Sequence, residues 1–138
     1  MSRLRPGRPL KPFRRPWLWA GLWIAAIAAV VVLSLAPSVP MPEVPDGDKL
    51  GHVLAYFALA AAAVQLYARW PSLLGAGIGL VLLGIGLEYA QGALTDTRMQ
   101  DAADAFANTL GVIVGLSTRL TPFRDVLLQL DTRVLDGV

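Results

Sequence analysis

Residues 17–35, WLWAGLWIAAIAAVVVLSL, form a run of 19 with no charge. A helix that long spans about 30 Å, and a bilayer core needs roughly 20 apolar residues per crossing. A soluble bundle would require a polar face that this run lacks. Two further stretches repeat the pattern. Residues 50–67 hold one group that titrates near neutral pH, His52, and residues 73–94 hold one acid, Glu88. A fourth, residues 102–116 continuing to about 120, is apolar except near its start, where Asp104 and Asn108 fall. The composition agrees: 55% of the 138 residues are hydrophobic and 16% charged, against about a quarter charged in a soluble domain. This much apolar surface excludes disorder as the main state. The absence of cysteine excludes a disulfide scaffold and a thiolate metal site.

The breaks between these runs predict four helices. Pro37, Pro40, Pro42 and Pro45 make residues 38–48 an extended loop. Pro71 ends the second run, and residues 95–101, TDTRMQD, form a polar turn. The expected fold is an all-α membrane protein with four transmembrane helices and a short C-terminal amphipathic helix. Residues 1–16, rich in Arg and Pro, read as a disordered basic tail. Residues 17–120 read as the transmembrane domain. Residues 121–138 read as an amphipathic tail starting at Thr121 and Pro122, with an apolar stripe at Phe123, Val126, Leu127, Leu130 and Val134. That helix is expected to lie on the membrane interface or to pack against loops.

Orientation follows from the basic residues. With four spans, one side carries Arg3, Arg5, Arg8, Lys11, Arg14, Arg15, Arg69, Arg119, Arg124 and Arg133, ten of the twelve. The other side has only Lys49 and Arg98. Both termini are therefore expected in the cytoplasm, in a multi-pass protein of the inner (plasma) membrane. The first span is longer than a signal-peptide core, and Pro37 follows its small-residue site, so it is expected to be retained. The bilayer is the expected partner. Nucleic acid is not, because a basic tail beside a membrane meets anionic lipid first.

The polar residues within the spans are not scattered. Lys49, His52 and Tyr56 share one face at i, i+3 and i+7, and so do Asp101, Asp104 and Asn108. Glu88 and Gln91 share a face on the last turns of the third span, and Arg98 lies in the turn that follows. Three helices thus send polar stripes from the same outer end, about 10 Å into the bilayer. A charged group in hydrocarbon costs about 2.5–3.5 kcal/mol on insertion scales. These residues are therefore expected to face one another, or water, in a polar pocket open to the outer surface.

The pattern Asp48-Lys49-x-x-His52-x-x-x-Tyr56, then Glu88-x-x-Gln91, then Arg98-x5-Asp104-x3-Asn108-x-x-Gly111 resembles the VanZ-like family of small integral membrane proteins. The resemblance covers residues 48–115. The family's named member lowers susceptibility to a glycopeptide antibiotic, so the resemblance implies a role in cell-envelope or antibiotic-response biology. It also implies that Lys49, His52, Tyr56, Glu88, Gln91, Arg98, Asp104 and Asn108 are the functional positions.

The residues themselves support three functions. The pocket could bind a polar or anionic lipid-linked envelope molecule, such as a cell-wall intermediate. Lys49 and Arg98 would hold it, with Tyr56, Gln91 and Asn108 orienting it. His52, Glu88 and Asp104 would be the catalytic candidates, acting as acid and base on an activated water, because no Ser or Cys nucleophile accompanies them. Alternatively, the chain is a small proton-coupled transporter, against which stands an inner half with no polar path. In a third reading it is an accessory protein whose polar cluster only holds the helices together. No cofactor is expected. His52, Glu88 and Asp104 would make a facial ligand set, but a single His and two basic neighbours weigh against a metal. Two GxxxG spacings, at Gly75–Gly79 and Gly111–Gly115, are expected to pack helices within the bundle.

Overall fold

The computed structural model describes residues 7–37, 47–95 and 101–136, with residues 135 and 136 described through their backbone alone. The α-helices are α1 (Pro16–Leu35), α2 (Gly47–Leu66), α3 (Trp70–Leu94), α4 (Ala102–Ser117) and α5 (Val126–Asp136). Two 3-10 turns, Thr118–Leu120 and Pro122–Asp125, join α4 to α5. Among the described residues the only β-pairing is an isolated bridge between Leu10 and Tyr67. Helices α1, α2 and α3 are long and apolar enough to cross a membrane, which is how a membrane protein is built. The region expected as a fourth span is shorter. Helix α4 has 16 residues, and the 3-10 turn after it carries helical backbone on to Leu120.

Helix starts follow local chemistry. Helix α3 begins at Trp70, earlier than residue 73, because Pro71 sits in the first turn, where a missing N–H costs nothing. Pro16 opens α1 in the same way. Asp101 caps α4, its Oδ1 accepting the Ala103 N–H at 2.8 Å. Outward faces are apolar: Leu33 on α1, Ile78 and Leu82 on α3, and Phe106 and Ile113 on α4 are all exposed. A continuous apolar surface of this kind is a liability in water and costless against lipid.

The most extensive helix interface joins α2 and α4, and glycine permits it. A Cβ on Gly111 would lie 2.5 Å from the Val53 carbonyl oxygen, and one on Gly115 would lie 2.6 Å from that of Phe57. The second GxxxG therefore seats the α4 backbone directly on α2. The first is not used in this way, since Gly75 and Gly79 face open space. On α3 the close approaches are instead at Gly77, against Leu116, and at Gly84, against Asn108 and Tyr56. Tyr56, Leu59, Ala60, Leu80 and Val112 form the core, with Trp23 of α1 packed against it. The Trp23 indole also donates to the Leu59 carbonyl at 3.0 Å.

The bundle has two distinct ends. Gln91 Nε2 donates to the Ser34 carbonyl at 2.8 Å, which brings the ends of α1 and α3 together. Trp19 Nε1 donates to Asp131 Oδ1 at 2.8 Å, which places the start of α1 beside α5. The helices therefore alternate in direction, and the described ends of the chain lie together.

At that end the structure corrects the expectation of a disordered tail through residue 16. Helix α2 finishes with carbonyls that need donors, and the tail supplies them. Lys11 N–H donates to the Leu66 carbonyl at 2.9 Å, and Ala68 N–H donates back to Pro9 at 2.8 Å. Lys11 is 7% exposed. Its ammonium donates to the Val64 carbonyl at 2.8 Å and to that of Arg124, and it pairs with Asp125 at 2.9 Å. Burial pushes the Lys11 pKa down, while the same ammonium holds the Asp125 carboxyl below its ordinary value. Arg119 takes the next carbonyls, Tyr67 at 3.2 Å and Ala68 at 3.0 Å, with its guanidinium over the Trp70 ring. Two cations thus complete a helix C-terminus, where the helix dipole also favours them. Residues 1–6 lie outside the described residues. Helix α5 docks through Asp131, which also accepts the Arg14 N–H at 2.6 Å. Its apolar residues Val126, Leu130 and Val134 stay exposed, as does Phe123 in the turn before it.

Candidate functional site

Seven of the eight sequence candidates are described, and they sit at the end of the bundle away from the described chain ends. Arg98 lies outside the described residues. Because α2 and α4 run parallel and in close register over Gly111, the stripe of each meets the other. His52 on α2 faces both Asn108 and Asp104 on α4. Its Nδ1 lies 2.9 Å from Asn108 Oδ1, and its Nε2 lies 3.6 Å from Asp104 Oδ2. One turn earlier, Lys49 Nζ lies 3.8 Å from Asp104 Oδ1 and 3.5 Å from Asp101 Oδ2. Helix α3 contributes Glu88, whose Oε2 accepts the Asp101 N–H at 3.2 Å. One ligand atom each from His52, Glu88 and Asp104 fit within 4.8 Å of one another.

Burial divides the site into a floor and a rim. Tyr56, Glu88, Asp104 and Asn108 are each under a tenth exposed. The His52 side chain is 18% exposed, and those of Lys49 and Asp101 are 37% and 46%. The expected polar pocket is therefore a closely packed knot of side chains, entered past Lys49, Asp101 and His52. Two buried atoms, Tyr56 Oη and Asp104 Oδ1, have no hydrogen-bond partner. The Tyr56 ring lies beside Asn108 over Gly84, and its hydroxyl is within the field of Glu88. Asp104 Oδ1 still faces the Lys49 ammonium at 3.8 Å, whereas a buried hydroxyl left unpaired costs about 1–3 kcal/mol, so Tyr56 marks where the fold has kept polarity at the expense of stability.

Gln91 and Asp101 have more definite places. Gln91 turns away from the cluster, its amide holding α1 through Ser34. Its backbone carbonyl accepts the Thr95 hydroxyl. Asp101 belongs to the site although it is absent from the candidate set. Its place one turn before Asp104, on the same face, is the signal that identifies it. Among the described residues the cluster holds one fixed cation, Lys49, against three carboxylates, Glu88, Asp101 and Asp104. The site is acid-rich.

Apolar clefts occur elsewhere. One of about 560 Å³ lies between α1, α2 and α5, walled by Trp19, Trp23, Ala62 and Leu127. It has no cluster of titratable groups. Comparison with family models, curated proteins and solved structures finds no match.

Proposed function

We propose that this chain is a VanZ-like integral membrane protein of the cell envelope. In this reading it crosses the inner membrane four times, with both termini cytoplasmic and the polar cluster at the outer surface. The site engages a polar or anionic head group of a lipid-linked envelope molecule. The motif resemblance supports the family, and the asymmetry of the basic residues supports the orientation. The exposed apolar stripe of α5 suits a helix lying on the cytoplasmic interface.

One observation carries the functional part. Polar side chains from α2, α3 and α4 converge at one end of the bundle, beyond its apolar core, and two of their atoms are buried without a hydrogen bond. Intramembrane ionisable groups are costly, so their clustering marks a ligand or ion site. Lys49, at the rim, would meet the head group first, while His52, Glu88 and Asp104 lie where acid–base work on it would occur.

A second reading has its own support. The Glu88–Asp101 and Gln91–Ser34 hydrogen bonds tie helices together, as they would in an accessory protein. The test is the lipid retained by the chain purified in detergent, read by mass spectrometry beside its unfolding transition. Lys49→Ala and Glu88→Gln should lose the retained lipid with little change in unfolding. If every such variant unfolds early and the wild type retains no envelope lipid, the accessory reading holds.

A further inference from the structure

We propose that His52, Glu88 and Asp104 bind a divalent transition-metal ion, Zn²⁺ being the best match to one imidazole and two carboxylates. The basic neighbours that weigh against a metal in the sequence are placed differently in the fold. Lys49 reaches Asp104 Oδ1 and Asp101 Oδ2, which leaves Asp104 Oδ2 to His52. Among the described residues the site's three carboxylates outnumber its one fixed cation, a balance that favours a bound cation.

The imidazole is the decisive piece. Asn108 presents a carbonyl oxygen to Nδ1 at 2.9 Å, which suits a proton on Nδ1, and in the neutral ring Nε2 then offers a lone pair. That lone pair faces Asp104 Oδ2 at 3.6 Å. Two electron-rich atoms face each other, and a cation belongs between them. A proton there would draw them to about 2.7–2.9 Å. Two ligands of a tetrahedral zinc ion, each about 2.0–2.1 Å from it, sit about 3.3 Å apart. The spacing in the structure is nearer the second figure. Glu88 completes the set within 4.8 Å, and its three side-chain torsions can close the remaining gap of about 1.5 Å. The His52–Asn108 contact is also the outer bond that metal-bound imidazoles use to fix their tautomer.

Independent support comes from a buried hydroxyl. Tyr56, 2% exposed, has its Oη without a hydrogen-bond partner, while the Asp104 oxygen that also lacks a hydrogen bond faces the Lys49 ammonium at 3.8 Å. Three protein ligands leave one tetrahedral position for an exogenous group. With the ion in place, an acid-rich site becomes one that an anionic head group can enter. The ion itself does not rest on the lipid reading, only on these side chains; the entry of the anion rests on both.

The test uses the full chain in detergent, stripped with chelator and titrated with Co²⁺ alone. One equivalent should give the ligand-field absorption of a low-coordinate nitrogen–oxygen site, and Zn²⁺ should bleach it. Asn108→Ala should weaken binding 10–100-fold. His52→Ala and Asp104→Asn should abolish it, and Gln65→Ala should leave it unchanged. Should a variant fail to fold, His52→Gln, of similar size, and the wild type keep the question decidable. A folded wild type that takes up no Co²⁺ at millimolar concentration overturns the proposal, as does undiminished binding by folded His52→Gln. Co²⁺ binding without lipid retention would sink the lipid reading alone.

Discussion

His52 Nδ1 and Asn108 Oδ1 meet at 2.9 Å across the α2–α4 interface. The contact exists because Gly111, one turn further along α4, lets the two backbones touch. It fixes the imidazole plane and directs Nε2 at Asp104. A double-mutant cycle with His52→Ala and Asn108→Ala should give a coupling of about 1 kcal/mol, the scale of interhelical hydrogen bonds in membranes. Reversible unfolding in detergent measures it. A coupling near zero would mean that the ring is not oriented by Asn108.

The glycines offer a sharper contrast. Gly111→Ala and Gly115→Ala force a methyl group within 2.5–2.6 Å of α2 atoms. Each should destabilise the bundle by about 1–3 kcal/mol. Gly75→Ala and Gly79→Ala meet nothing within 4 Å and should be neutral, or slightly stabilising through helix propensity. Equal effects at the four positions would refute the α2–α4 packing described here.

The tail clasp is testable by substitution and by pH. Lys11→Met leaves the Val64 and Arg124 carbonyls without their donor and should cost about 1–3 kcal/mol. Asp125 titrates below its ordinary value because of Lys11. Its contribution is therefore complete above the unfolded value of about 3.9, and it fades as pH falls through the lower folded value. The wild type should lose stability on acidification below about pH 4 more steeply than Asp125→Asn. Parallel pH profiles for the two chains would contradict this role.

Most of the helical order was legible from hydropathy, because lipid removes the need for polar faces and leaves uninterrupted apolar runs. The site was legible from period alone. Lys49, His52 and Tyr56 on one helix, and Asp101, Asp104 and Asn108 on another, each share a face at i, i+3 and i+7. The identity of their partners was not. That His52 meets Asn108 rather than Glu88 depends on the register of α2 against α4, which two glycines set. The ordered tail was also hidden. Local composition around Lys11 reads as disorder, and only the unpaired carbonyls at the end of α2, 53 residues away in sequence, explain why it is held. Gln91 misled for a related reason: its face was right, but its partner is the end of α1.

The orientation of the site decides whether an envelope ligand can reach it. The chain has no cysteine, so single introduced thiols report without background. Asp48, exposed at the start of α2, marks the polar end, and Leu130, exposed on α5, marks the other. In intact cells a membrane-impermeant maleimide should label Asp48→Cys at once and Leu130→Cys only after permeabilisation. Labelling of Leu130→Cys from outside, with Asp48→Cys protected, would put the polar cluster in the cytoplasm and contradict the outer-surface site.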